Sequence, residues 1–349
     1  MKLNKIGLLL VCLGLSLASC KKDDAPNVTI ELRDRTEQQE ADNDSIIKYL
    51  SSHYYNAAEI EAAKPNAGIN DIVINQLTGS ASVPDGHELL ISKVVKYTVD
   101  YENTTYDYYV LNLNQGGGEN KPTIGDRIQI LYEGFSLENY IFDFKYYPDR
   151  NPIDLTGVIP GWRRVIPKFN TSDGFVVNGD GTTDYINSGL GIMFIPSGLA
   201  YFSNAPAGVS SYAPLAFKFE LLQTSVFDHD GDGIPSYYED LNGDGEFIVN
   251  FTNLKDETDD DTDGNGFADY VDSDDDGDNV LTINELKPTT YTFNTNLNEQ
   301  EPVLVEGEFE ISRTESAGII TIKTVTIIDS NNDGIPDYRD KNIKVNYNK

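Results

Sequence analysis

Twenty of the chain's 57 acidic residues fall between Asp228 and Glu285, where Lys255 is the only Lys or Arg. A stretch so acidic either stays solvated and extended or folds around something positive. The spacing of the acids argues for the second. Asp228, Asp230, Asp232, Gly233, Ser236 and Glu239 stand at positions 1, 3, 5, 6, 9 and 12 of a twelve-residue frame. Asp261, Asp263, Asn265, Gly266, Asp269 and Asp272 repeat it, and so do Asp329, Asn331, Asp333, Gly334, Asp337 and Asp340. A fourth copy, Asp274, Asp276, Asp278, Thr282 and Glu285, has Asn279 in the glycine position, and Asn tolerates left-handed backbone better than most residues. A fifth, Asp240, Asn242, Asp244 and Gly245, has Phe251 where the closing ligand belongs and would take that ligand from a neighbouring loop.

This is the grammar of a calcium loop. Calcium takes six to eight oxygens at about 2.3–2.6 Å, alternate side chains converge on it, a sixth-position glycine allows the sharp turn, and the twelfth residue closes the shell. Gly-Ile-Pro at 233–235 and again at 334–336 disfavours the helices that flank paired EF-hand loops. The pattern over 228–285 and 329–340 resembles thrombospondin type 3 repeats, the Asp-rich calcium arrays of extracellular proteins. The expectation is structural Ca2+: without cations the carboxylates repel, with them the region orders, and binding free energy becomes folding free energy. His229, between two of these acids, is expected to face solvent.

The compartment follows from the other end. A positive start at Lys2 and Lys5 precedes an apolar run from Ile6 to Leu17, too short to span a bilayer and suited to a secretion signal. Leu17-Ala18-Ser19-Cys20 resembles the lipobox of bacterial lipoproteins, which implies cleavage before Cys20 and a lipid on its thiol. Lys21-Lys22-Asp23-Asp24 resembles the charged tags of surface lipoproteins from Bacteroidetes-type bacteria. The expected location is the outer membrane or cell surface, with the membrane reached through the anchor. With Cys12 removed and Cys20 lipidated, no cysteine pair remains for a disulfide. A formal net charge of -31 excludes nucleic acid as a partner.

Four segments follow: signal peptide 1–20, tether with helix and first strands 21–104, central domain 105–225, and acidic region 226–349. Ile46, Leu50, His53 and Ala57 recur at helical steps and predict one helix over 36–64, ended by Pro65. Leu89–Val99 and Tyr106–Leu113 predict a hairpin across Glu102–Thr105. Asn170–Ser188 reads as a turn-rich insert and Thr289–Ile328 as a small β-rich stretch. The fold class expected is α+β.

Within 105–225 five blocks stand in order: Tyr108-Tyr109-Val110-Leu111; Gly125-Asp126 running to Tyr132-Glu133-Gly134; Phe142-Asp143; Val158-Ile159-Pro160-Gly161-Trp162; and Phe194 to Tyr201, closing at Pro214–Leu222. Together they resemble the FKBP-type peptidyl-prolyl cis-trans isomerases. The resemblance implies a bent antiparallel sheet around one short helix. It also implies an apolar pocket of Tyr132, Phe142, Asp143, Val158, Ile159, Trp162, Tyr201 and Phe217, with Ile153 in place of a frequent phenylalanine. Trp162 would be the floor, Ile159 N–H and the Tyr201 hydroxyl would donate to substrate carbonyls, and Asp143 would orient its neighbours. Phe202 replaces a usual Gly, the insert follows Trp162, and Val209-Ser210-Ser211 replaces an Ile-Pro-Pro ending. Two readings result. One is a monomeric, lipid-anchored isomerase or foldase acting on proline-containing exported polypeptides. The other is a binding or structural lipoprotein that reuses the fold.

Overall fold

Apolar residues alternating onto two faces set the architecture. The computed structural model describes residues 32–79, 81–148, 150–250, 253 and 256–349, and Arg35–Lys349 form one compact unit. The expected signal peptide and Cys20 lie outside the described residues. Helix α1 (Arg35–Ser52), strand β1 (His53–Tyr55), helix α2 (Ala57–Ala63) and strands β2 (Ile74–Gln76) and β3 (Glu88–Leu89) come first. Strands β4 (Val95–Tyr101), β5 (Thr104–Asn114), β6 (Arg127–Ser136), β7 (Ile141–Lys145) and β8 (Ile153–Asp154) lead to the short helix α3 (Pro160–Val165). A hairpin of β9 (Gly174–Val177) and β10 (Thr183–Ile186) precedes β11 (Gly189–Ile195) and β12 (Leu215–Ser225). The distal part adds the one-turn helix α4 (Thr282–Glu285) and strands β13 (Lys287–Asn294), β14 (Glu308–Ser316) and β15 (Ile319–Thr326). The chain is mostly β with few helices, an α+β fold.

The main sheet runs β4-β5-β11-β12-β6-β7, with β8 also paired to β6. Each of these pairings is antiparallel. Both faces are covered. Tyr106, Tyr108, Val110, Met193, Ile195, Phe217 and Phe219 meet Trp162 and Val165 of α3 on one side. Tyr109, Leu111, Leu113, Leu190, Ile192 and Phe194 meet Ile46, Tyr49 and Leu50 of α1 on the other. The central strand β11 is buried throughout, which is why its sequence runs apolar without alternation. Gly161 lets α3 lie flat on this strand, since a Cβ there would sit 2.7 Å from Ile195 Cδ1.

Two expectations change. The helix predicted over 36–64 stops at Ser52. His53–Tyr55 is extended and pairs with both β2 and β3, and His53 stacks on Tyr49 at 3.7 Å. Sheet pairing outweighs helical periodicity there, so His53 and Ala57 do not share a helix face. The division at residue 104 also runs through a hairpin. Glu102 and Asn103, at φ 44° and 60°, make the two-residue left-handed turn that strand twist favours, and β4 joins the main sheet. The β-rich stretch is the three-stranded sheet β13-β15-β14. Among the described residues no helix is long and apolar enough to cross a membrane.

One polar contact fixes α1 to the sheet. Buried Asp42 accepts hydrogen bonds from Ser197 N at 2.7 Å, Ser197 Oγ at 2.6 Å and Gln38 Nε2 at 2.7 Å. Ser197 begins the turn that leads to Tyr201. Asp42→Ala strands the two buried Ser197 donors, while Gln38 keeps its bond to the Tyr212 carbonyl at 3.3 Å, so we expect a loss of about 2–4 kcal/mol in urea unfolding, against under about 0.5 kcal/mol for exposed Asp44→Ala. Equal effects of the two would refute this anchoring.

Candidate metal loops and the adjoining pocket

Five acidic loops share one backbone design. The N–H at position 6 donates to the first Asp's Oδ2: Gly233 to Asp228 at 2.9 Å, Gly245 to Asp240 at 2.9 Å, Gly266 to Asp261 at 2.8 Å, Asn279 to Asp274 at 3.1 Å and Gly334 to Asp329 at 2.9 Å. The position-7 N–H donates to the residue at position 5: Asp232, Asp244, Asn265, Asp278 and Asp333. Position 6 is left-handed in all five, with φ between 75° at Asn279 and 103° at Gly266, hence Gly or Asn there. In four loops the position-9 N–H returns to the carbonyl just before the loop: Ser236 to Phe227, Asp269 to Asp260, Thr282 to Ser273 and Asp337 to Ile328.

Side chains converge at positions 1, 3 and 5 in the loop 274–285 and at positions 3, 5 and 12 in the loop 228–239. Ligand atoms of Asp274, Asp276 and Asp278 lie within 4.8 Å of one another, and so do those of Asp230, Asp232, Glu239 and Asp275. Oxygens on opposite sides of one calcium ion are about 5 Å apart, so both groups match its shell. The donors fit as well. Buried oxygens of Asp230, Asp232, Glu239, Asp274, Asp276 and Glu285 have no hydrogen-bond partner, which in a protein interior calls for a counter-charge; Asp278 Oδ2 has Lys344 Nζ at 3.5 Å. In the loop 329–340, the Asn331 amide reaches Asp333 at 3.0 Å and Asp340 at 3.2 Å, and in 261–272 Asn265 reaches Asp272 at 2.5 Å. Asn242 reaches Asp244 at 3.2 Å, while Phe251 lies outside the described residues. Asp260, not foreseen, clamps that fifth loop by accepting from Leu241 N and Ile248 N, each at 2.8 Å.

Position 9 behaves differently from the expectation. Ser236, Asp269 and Asp337 each accept the backbone N–H of their loop's second residue: His229 at 3.1 Å, Thr262 at 2.8 Å and Ser330 at 2.8 Å. They latch the loop. Asp263 sits at the third position of its loop, beside Gly277 of the next. His229 does not face solvent. Its Nε2 lies 2.9 Å from Asp154 Oδ2 and its Nδ1 2.8 Å from Ser236 Oγ, because the loop packs on the main domain.

Beside this contact is the pocket. Tyr132, Asp143, Val158, Ile159, Trp162, Tyr201 and Phe217 line a cavity of about 240 Å³, with Ile153 and Gly157. Phe142 stands behind the wall, edge-on to Phe217 at 5.7 Å. Gly134 makes room for both rings, since a Cβ there would lie 2.7 Å from Phe217 and 2.9 Å from Phe142. Trp162 meets Tyr132 edge-on at 5.1 Å and Phe217 at 5.4 Å. Tyr132 donates to Asp143 Oδ2 at 3.0 Å. Burial, then the Asp143 charge, pushes the Tyr201 hydroxyl up, so it keeps its proton. The cavity is smaller than the roughly 300–1,000 Å³ of drug-sized sites and suits one side chain.

The acidic region holds the helix that carries Trp162. Glu246 pairs with Arg163 at 2.5 Å and with Arg164 at 2.6 Å, all three largely buried. Asp154, which takes the His229 contact, also caps the turn leading to Val158 by accepting from Thr156 N at 3.1 Å. No sequence signal marked these partners, because they sit between ligand positions.

Residues 229–306, well under half of the chain, match the family described as BamM C-terminal. No curated protein matches the chain in sequence. Among solved structures, a peptidyl-prolyl cis-trans isomerase from Pseudomonas syringae pv. tomato is similar at 25% identity, over 34% of this chain and 75% of that one, with a TM-score of 0.27. FkpA from Escherichia coli is similar at 18% identity, over 54% of this chain, with a TM-score of 0.29. The match spans 63% of FkpA's length, under two thirds.

The carboxyl groups set a pH dependence. Burial, then neighbouring acids, pushes Asp232 up to about 8, Glu285 to about 9 and Glu239 to about 11. Unfolded, these groups titrate near about 4. Between those limits the folded chain binds more protons than the unfolded chain, so its stability falls as pH rises. We expect urea midpoints in calcium-depleted buffer to drop from about pH 5 to about pH 9, and saturating Ca2+ to remove most of that drop. A midpoint rising with pH in depleted buffer would contradict the assignment.

Proposed function

We propose that this chain is a lipid-anchored, exported peptidyl-prolyl cis-trans isomerase or foldase of the FKBP kind, braced by a calcium-ordered C-terminal region. The observation that carries the reading is the apolar cavity over Trp162, lined by seven of the eight residues that the FKBP resemblance named. Cys20 is the proposed lipid site, and the outer membrane or cell surface the proposed location. The proposed clients are proline-containing exported polypeptides.

The chemistry suits such a cavity. Rotation about an X–Pro amide breaks no covalent bond; its barrier of about 18–20 kcal/mol comes from resonance. A dry cavity that takes the proline ring on Trp162 and stabilises the twisted amide lowers that barrier by binding the transition state better than the ground state. The Ile159 N–H and the Tyr201 hydroxyl supply donors to substrate carbonyls. Asp143, bonded to Tyr132, fixes the rim and takes no proton.

Calcium, held by the acidic loops, would supply charge neutralisation and order; it takes no part in isomerisation. Its proposed ligands are Asp228, Asp230, Asp232, Glu239, Asp240, Asn242, Asp244, Asp261, Asp263, Asn265, Asp272, Asp274, Asp276, Asp278, Glu285, Asp329, Asn331, Asp333 and Asp340.

A second reading, a binding module without turnover, is favoured by the rim after Tyr201. Phe202 holds φ 46°, stacks edge-on with Tyr212 at 4.9 Å and lies under Arg35 at 4.2 Å, so this rim is built differently. The full chain in detergent should accelerate cis-trans exchange of an Ala-Xaa-Pro-Phe peptide. Tyr201→Phe and Trp162→Leu should lower that rate about tenfold or more, equivalent to at least about 1.4 kcal/mol, with circular dichroism unchanged. Peptide binding without acceleration would establish the second reading; neither binding nor acceleration would remove both.

A further inference from the structure

The loop grammar leaves one buried acid unexplained. Asp275 holds position 2 of the loop 274–285, a position that supplies no ligand to its own loop. Second-position side chains reach beyond their loops here while keeping a bond to their own ninth residue, His229 to Ser236 at 2.8 Å and Thr262 to Asp269 at 2.7 Å. His229 reaches Asp154, and Thr262 Oγ1 accepts from Arg339 Nε at 3.1 Å. Asp275 shares the backbone geometry, its N–H donating to Thr282 Oγ1 at 3.3 Å, but its side chain makes no hydrogen bond back to its own loop.

It points at another loop. Its carboxylate gathers with Asp230, Asp232 and Glu239, their ligand atoms within 4.8 Å of one another. Asp275 is 1% exposed and Glu239 is fully buried. Both oxygens of each lack a hydrogen-bond partner. Among the described residues no Lys, Arg or His pairs with any of the four. Four carboxylates facing one another in a dry interior require a cation or bound protons.

We infer that Asp275 is a ligand in a cation site shared between the loops 228–239 and 274–285, completing with Asp230, Asp232 and Glu239 a hard-oxygen shell that cross-links them. This rests on the calcium reading of the loops and goes beyond it, since a shell built from one loop leaves Asp275 out. The site is distinct from that of Asp274, Asp276, Asp278 and Glu285, whose ligands all come from one loop. Its ion ties the loop whose His229 abuts the pocket turn to a segment 35 residues further along, so losing it should loosen both at once.

The test uses the full chain in detergent with calcium alone as the probe, read by equilibrium dialysis and calorimetry. Asp275→Asn should lose one bound calcium, or weaken one step at least tenfold. Glu239→Gln should lose the same calcium, and the double variant should lose no more than either single one. Asp275→Asn combined with Glu285→Gln should instead lose two, because those residues hold different ions. If Asp275→Asn binds as much calcium as the parent with unchanged affinity, the shared site is wrong while the loops keep theirs. A parent chain that binds no calcium removes the reading underneath. The cycle with Glu239→Gln guards against misfolding, since general damage would not spare the second loss. A double variant that loses the sum of its singles would also overturn the shared shell.

Discussion

Repulsion among carboxylates held at close range in a dry interior is the constraint to which the distal third answers. Water screens such charges at a surface, but Glu239, Asp232 and Asp275 are almost wholly removed from it. In the loops 228–239 and 274–285 backbone amides satisfy the outer oxygens and leave buried inner ones without a hydrogen-bond partner. A chain folds this way when binding a cation contributes to its folding. In the proposed reading that cation is calcium, and the acidic region is ordered by it rather than by a large core of its own. Its apolar core is small: Ile234, Leu286, Val325 and Tyr338, with three partly buried neighbours.

In that reading the order reaches the pocket through two part-buried polar contacts. Glu246, in the fifth loop, holds both arginines of the helix that carries Trp162. His229, in the first loop, holds Asp154 at the start of the turn that carries Val158 and Ile159. In the proposed reading such a pocket works only if its walls keep their spacing, because the gain comes from fitting a twisted amide better than a planar one. The main sheet supplies the rest of that rigidity. It is covered on both faces, and α1, pinned by Asp42, supports the turn that places Tyr201. The acidic loops therefore contact the pocket from outside, at the helix that carries Trp162.

Several features were legible because they depend on neighbours in sequence. The left-handed positions of Gly233, Gly266, Gly334 and Asn279 follow from a loop that must double back within six residues. The hairpin follows from two β-rich runs with the polar stretch Glu102–Thr105 between them, which the structure narrows to a turn at Glu102 and Asn103. The helix over 36–64 misled, because His53 and Ala57 keep a helical step while the backbone between them pairs with two strands that arrive later in the chain. The latching by Ser236, Asp269 and Asp337 was missed because spacing gives a side chain's position but not its direction.

Local spacing alone thus determined the five loops, their turn residues and the run of alternating oxygen side chains, since each loop closes on itself within twelve residues. It also determined the order of blocks from which the pocket is drawn. Only the tertiary structure decided which loop faces which: Asp275 against Asp230, Asp232 and Glu239, His229 against Asp154, and Glu246 against Arg163 and Arg164. Those partners are brought together by packing between segments dozens of residues apart, and a one-dimensional pattern holds no term for that distance.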